Sequence, residues 1–200
     1  MSRRSRRVSH ILSLLLNPSL WTGGFFLVLV NRFEPAGPRR WLTGSIAGLF
    51  TLLMPLGVLF VLQAKGRVSD IEMRIRAERT PVYLWCAASY ALGLGLFVEL
   101  GTAWPLTALM ALLLPSALVL TLLNRWWKVS IHAATLAGLS ALGIALFGPV
   151  ALPFALVVPL AVWARWAAGA HTPHELLAGV VVGAGSAVLG LEAALALVRR

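Results

Sequence analysis

Arg165, His171 and Glu175 stand in the pattern arginine, five residues, histidine, three residues, glutamate, inside the segment AVWARWAAGAHTPHELLAG. Ionisable residues beside apolar spans are costly to keep, which makes them functional candidates. An imidazole such as His171 can act as nucleophile or base, and a nearby carboxylate can fix its tautomer and orientation. The guanidinium of Arg165 can grip a phosphate or a carboxylate. Thr172-Pro173-His174-Glu175 also matches a capping box, with Thr172 as N-cap, proline at the first helical position and Glu175 at the third. Glu175 therefore reads as cap, as orienter of His171, or as both. A helix that starts here aims free N–H groups at His171, a setting that suits an anion. His174 reads as a surface histidine.

A second set lies in RWWKVSIHAATLAG. Ser130 is a candidate N-cap. His132 follows it and, taken alone, is also compatible with an ordinary interfacial histidine. Lys128 reads as a headgroup anchor with a further use as a phosphate ligand. A third set, KGRVSDIEMRIRAERTP at residues 65–81, is the most charged stretch of the chain and contains Arg74, Arg76 and Arg79. Its pattern predicts a short interfacial helix ahead of Pro81.

The elements that position these residues are hydrophobic helices. Of the 200 residues 59% are hydrophobic and 12% charged, and the mean hydropathy is +0.85. A water-soluble domain of this length cannot hide so much apolar surface, whereas lipid removes the difficulty. Between Pro81 and Asn124 the only charge is Glu99, and between Val129 and Val198 the charges are Arg165, Glu175 and Glu192. A crossing needs roughly 20 apolar residues, so each stretch holds more than one. The expectation is an all-α polytopic bundle of about seven spans with no soluble domain. The spans fall near residues 11–30, 41–64, 82–100, 105–123, 130–147, 150–165 and 171–198. Asn17-Pro18 weakens the first and Gly148-Pro149 separates the fifth from the sixth. No small-residue cleavage site follows the basic N-terminus and ILSLLL, so the first stretch reads as an uncleaved span rather than a signal peptide.

Seven spans imply a parity. Segments 65–81, 124–132 and 165–175 are each two crossings apart and so lie on one face. They hold most of the polar chemistry of the chain.

These residues resemble the type-2 phosphatidic acid phosphatase superfamily. Arg165-x5-His171-x3-Glu175 looks like its third motif, S-R-x5-H-x3-D, in spacing throughout. Ser130-Ile131-His132 resembles the second motif, P-S-G-H, and Arg79-Thr80-Pro81 the end of the first, K-x6-R-P. The resemblance covers about residues 60–195. It divides the chain into a basic N-terminus, first helix and loop at 1–40 and a phosphatase-like transmembrane domain with a six-helix core at 41–200. The chain departs from the pattern at Val129 and Ile131 (proline and glycine in the family), Ala164 (serine), Glu175 (aspartate) and Glu72 (lysine). Arg74 or Arg76 stands in for that lysine, and Pro81 is displaced by one position.

The resemblance implies hydrolysis of a phosphate monoester or pyrophosphate of a lipid, such as phosphatidate, phosphatidylglycerophosphate or a polyprenyl phosphate. His171 would attack phosphorus, Glu175 would orient it, and His132 would protonate the leaving oxygen. Arg165, Arg79, Arg76 and Ser130 would hold the phosphate oxygens. No cofactor or metal enters this scheme, and the scattered acids form no two-metal carboxylate cluster. Weaker or absent catalysis in a phospholipid-binding protein of the same fold is the alternative, motivated by the altered second motif. A transporter would call for paired charges inside several spans.

The net charge of +10 sits beside hydrophobic spans, which favours anionic lipid headgroups over nucleic acid as the partner. The single cysteine, Cys86, excludes an intrachain disulfide. Seven spans put 12 of the 17 Lys and Arg residues on the face of the N-terminus. The positive-inside rule then places the site on the cytoplasmic side of a prokaryotic inner membrane.

Overall fold

Prolines and glycines set the boundaries of the helices. Pro18, Pro38, Pro105 and Pro173 each lie in a first turn, where a missing N–H costs no hydrogen bond. The computed structural model describes residues 8–9, 11–13, 15–70, 73 and 75–198, the last two without their side chains. Arg3, Arg4, Arg6, Arg7, Glu72, Arg74, Arg199 and Arg200, used in the sequence reading, lie outside the described residues.

Helix α1 is Pro18–Phe33. The Asn17 side chain caps it, accepting from the N–H groups of Ser19 at 3.0 Å and Leu20 at 3.4 Å. The helix therefore restarts at Pro18, and ahead of Asn17 the described residues Val8, Ser9, Ile11, Leu12, Ser13 and Leu15 belong to a separate helical segment. The first span, expected as one run over 11–30, is broken here and extends further, to Phe33.

Helix α2, Pro38–Gly48, passes through a π-helical turn at Leu49–Leu53 into α3, Met54–Ala64. Pro55 has no N–H to donate and its ring crowds the carbonyl one turn back, which explains the widened turn just before it. Among the described residues of 65–81, the expected interfacial helix is reduced ahead of Arg79 to one 3₁₀ turn, Arg76–Glu78. Helix α4 then begins at Arg79, ahead of Pro81, and runs Arg79–Glu99. Glu78 is drawn back onto the loop, where it accepts from the N–H and Oγ of Ser69 at 3.0 and 2.9 Å.

Helix α5, Trp104–Leu123, is the axis of the bundle. Leu106, Ala108, Leu109, Met110 and Leu112 pack there with Phe26 and Leu29 of α1 and Phe97 of α4. Helix α6 is Ile131–Phe147. It stops at Gly148, whose φ of +68° lies in the left-handed region open to glycine. A 3₁₀ stretch, Gly148–Leu156, leads into α7, Val157–Ala167. Ala161 of α7 packs on Leu136 of α6, so the chain folds back on itself. Helix α8 is Pro173–Val198.

The protein is all-helical, with no strand among the described residues. Among the described residues, five helical stretches are long and apolar enough to cross a membrane: Pro38–Ala64, Arg76–Glu99, Trp104–Leu123, Ile131–Ala167 and Pro173–Ala196. Their outer faces carry Trp41, Leu92, Leu177 and Val181, all exposed. A continuous apolar exterior of this kind suits lipid.

The end away from the motifs is closed by Glu34. Its carboxylate sits 3.2 Å from Arg39 Nε and accepts from the Ala103 N–H at 2.9 Å, while its carbonyl accepts from Arg40. This joins the 34–40 loop to the start of α5.

Helix α8 approaches its neighbours through glycines. A Cβ built on Gly183 would stand 1.9 Å from the Ala134 carbonyl oxygen, and one on Gly179 2.6 Å from that of Ser130. One on Gly190 would stand 2.5 Å from the Leu112 nitrogen. Small residues of this sort let helix backbones touch inside a membrane, where packing replaces the hydrophobic drive. The contact also fixes the start of α6 against the start of α8.

Candidate functional site

Main-chain carbonyls knit the three polar segments together. Arg79, the first residue of α4, donates through Nε to Met73 O at 2.8 Å and through Nη1 to Val129 O at 3.1 Å. Asn124, just after α5, donates to Arg76 O at 2.9 Å and Thr80 Oγ1 at 3.0 Å. The Ser130 N–H donates to Glu175 O at 3.1 Å. Lys128 Nζ donates to Ala170 O at 3.1 Å. Segments 65–81, 124–132 and 165–175 thus meet at one end of the bundle.

Five of the residues singled out from the sequence are buried there: Arg79, Ser130, His132, Arg165 and His171. The electrostatic neighbours of His132 include Arg165, His171 and Arg79, and those of His171 include Arg79, Arg165 and Lys128. Two imidazoles therefore share a buried pocket of positive charge. Arg76 differs. It is exposed, and its Nη1 donates to Arg125 O, so its guanidinium ties one loop to the next instead of joining the buried group. Ser130 caps α6 by accepting from the Ala133 N–H at 3.4 Å.

Thr172 and Glu175 form the capping box read from the sequence. Glu175 Oε2 accepts from the Thr172 N–H at 2.8 Å, and Thr172 Oγ1 accepts from the Glu175 N–H at 3.4 Å. The same Oε2 is 3.5 Å from His171 Nδ1. A nearer partner is the Lys128 carbonyl, 3.0 Å from that nitrogen. A carbonyl only accepts, so Nδ1 carries the proton and Nε2 keeps its lone pair. Burial first, then the cations Arg79, Arg165 and Lys128, push the His171 imidazole down to about 3. At neutral pH it is uncharged, and its approach to Glu175 is not an ion pair.

Glu175 thus closes the capping box, and the Lys128 carbonyl is the nearer of the two acceptors beside His171 Nδ1. If His171 has the nucleophilic role that the family resemblance implies, replacing Glu175 by Gln should lower turnover by about fivefold or less, the value of one ordinary hydrogen bond. A loss of about a hundredfold in a purified-protein assay would return the orienting role to the carboxylate.

Among the described residues no three His, Cys, Asp or Glu side chains gather as a metal site. The Lys128 carbonyl and Asn124 were not among the sequence candidates. A main-chain acceptor leaves no mark in residue type, and Asn124 reads only as one residue of the run Asn124-Arg125-Trp126-Trp127-Lys128, whose Trp and Lys favour the headgroup level.

No family model, curated protein or solved structure matches this chain.

Proposed function

We propose that this protein is a membrane phosphatase that removes phosphate from a phosphorylated lipid through a phosphohistidine. One observation carries the reading. His171 is buried, neutral and held through Nδ1 by a carbonyl, with Nε2 unprotonated beside a group of buried cations. A lone-pair nitrogen next to guanidinium groups is the arrangement phosphoryl transfer requires.

In the reaction, His171 Nε2 bonds to phosphorus as the bond to the leaving oxygen breaks. His132 gives that oxygen its proton. Water then attacks the phosphorus of the P–N intermediate, His132 takes back a proton, and phosphate departs. Arg79 and Arg165 balance the charge on the equatorial oxygens. Ser130 Oγ accepts from the Ala133 N–H, which leaves its hydroxyl proton for a phosphate oxygen.

The membrane supports a lipid substrate, and so does a groove of about 360 Å³ on the outer surface between α7 and α8. Trp163, Trp166, Pro173, Leu176 and Leu177 line it. It begins beside Arg165 and His171 in sequence, and suits an acyl chain whose phosphate reaches the buried group. Filling it with Leu177→Trp should raise KM for phosphatidate about tenfold, the value of roughly two buried methylenes. Hydrolysis of a short water-soluble monoester should be unchanged. Equal effects on both substrates would remove the groove from the model of binding.

Topology follows from the same reading. Residues 8–33 make one broken crossing and Ile131–Ala167 makes a hairpin of two, giving seven. The positive-inside count then puts the site on the cytoplasmic side of a prokaryotic inner membrane. A second reading, phospholipid binding with weak turnover, draws on Arg79, two of whose nitrogens are already spent on carbonyls.

The test is a substrate panel of phosphatidate, phosphatidylglycerophosphate and polyprenyl phosphates, run on wild type and His171→Ala. Turnover of any of them that survives in the variant unchanged would sink the mechanism. Trapping an acid-labile phosphoenzyme tests the intermediate itself.

A further inference from the structure

The helical segment before Asn17 enters this site from outside the three motifs. Ser9, Ser13 and Leu16 are spaced four and three residues apart, which puts them on one helix face. All three are buried, with exposures of 0%, 3% and 4%, whereas Val8, Ile11 and Leu15 point outward at 42%, 56% and 62%. The segment thus turns two hydroxyls and Leu16 into the bundle, and Val8, Ile11 and Leu15 away from it.

Leu16 fixes the depth, because it clusters with Leu136 and Ala161. One helical turn from Leu136 toward the site is His132, and one turn from Ala161 is Arg165. Ser13 lies about one turn from Leu16, and its main chain is a hydrogen-bonding neighbour of the His132 ring. Ser13 is therefore level with both.

Its hydroxyl is buried and has no hydrogen-bond partner, and the same holds for His132 Nδ1. A helical serine usually relieves itself on the carbonyl one turn back; this one does not. Buried polar atoms without partners call for an explanation, and an absent ligand is one.

We propose that Ser13 is a further phosphate-binding residue, its hydroxyl donating to a tetrahedral oxyanion lodged between His132 and Arg165. The proposal rests on the phosphatase reading. It makes the N-terminal helix a wall of the site.

The test uses the full chain in detergent, with orthovanadate as the probe and inhibition of phosphatidate hydrolysis and direct calorimetric binding as readouts. Ser13→Ala should weaken orthovanadate binding about tenfold or more, the loss of one hydrogen bond to a charged group. Ser13→Thr, which keeps the hydroxyl, should stay within about threefold of wild type. Without ligand, Ser13→Ala should unfold at the same temperature as wild type or higher, because it removes an unsatisfied hydroxyl. A purely structural serine would lower that temperature and leave the threonine variant equally weak, which would overturn the proposal. So would Ser13→Ala binding orthovanadate as tightly as wild type. If wild type itself binds no orthovanadate and hydrolyses no phospholipid, the phosphatase reading fails and takes this proposal with it.

Discussion

On the phosphatase proposal, His171→Ala is expected to abolish turnover, lowering kcat/KM by at least about a thousandfold, the usual cost of deleting a covalent nucleophile. The loss is expected in kcat, because the buried cations that would bind the phosphate stay in place. Substrate affinity should therefore change little, and the labelled phosphoenzyme should vanish. The pH dependence is distinctive. With its imidazole pushed down to about 3, His171 stays unprotonated across the range in which an ordinary histidine, near 6.5, gains its proton. Formation of the phosphoenzyme in a single turnover should not fall between about pH 7 and pH 5 from protonation of this residue. The sign for stability is opposite to that of a paired histidine. Between about 6.5 and 3 the unfolded chain binds the proton and the folded one does not, so stability declines as pH falls through that window and is unaffected by His171 above it. His171→Ala should flatten that acid limb in a thermal-unfolding series. A nucleophile titrating near 6.5 would contradict the environment described for it.

The parts of this site that were legible in the sequence are local ones. Thr172 to Glu175 form a capping box because the box is written in four consecutive residues, and Pro173 and Ser130 start helices for the same reason. The meeting of three distant segments was legible too, since long apolar runs force the chain to return to one face. What residue type does not encode was not legible. The Lys128 carbonyl holds His171, yet any residue at 128 would present that carbonyl. Arg76 and Arg79 look alike in sequence, but Arg79 opens α4 and is buried, whereas Arg76 lies in a 3₁₀ turn and reaches Arg125. The inward serines of the first helical segment were hidden because a break at Asn17 changes which face looks inward. Crossing number was the least legible feature. Pro55 widens a helix without ending it, and Gly148 reverses one without leaving a polar loop, so hydropathy alone cannot separate a kink from a turn.

Gly183→Ala should cost more stability than any other single methyl group added along α8. The new Cβ would stand 1.9 Å from the Ala134 carbonyl oxygen and 2.7 Å from its carbon, so α6 and α8 must move apart. Backbone cannot rotate away as a side chain can, and the penalty is expected to reach about 3 kcal/mol or more, the upper range for overpacking. The same helix supplies its own control. A Cβ on Gly185 meets nothing within 4 Å, and alanine there gains about 1 kcal/mol in helix propensity. Gly185→Ala should therefore unfold at or above the wild-type temperature, while Gly183→Ala unfolds well below it. The clash also has a functional edge, because Ala134 lies two residues beyond His132 and one helical turn beyond Ser130. Forcing α6 from α8 separates His132 from His171, and on the phosphatase proposal any Gly183→Ala protein that folds should lose turnover beyond its loss of stability. Equal unfolding temperatures for the two alanine variants would mean that the glycine contact does not hold the two halves of the site together.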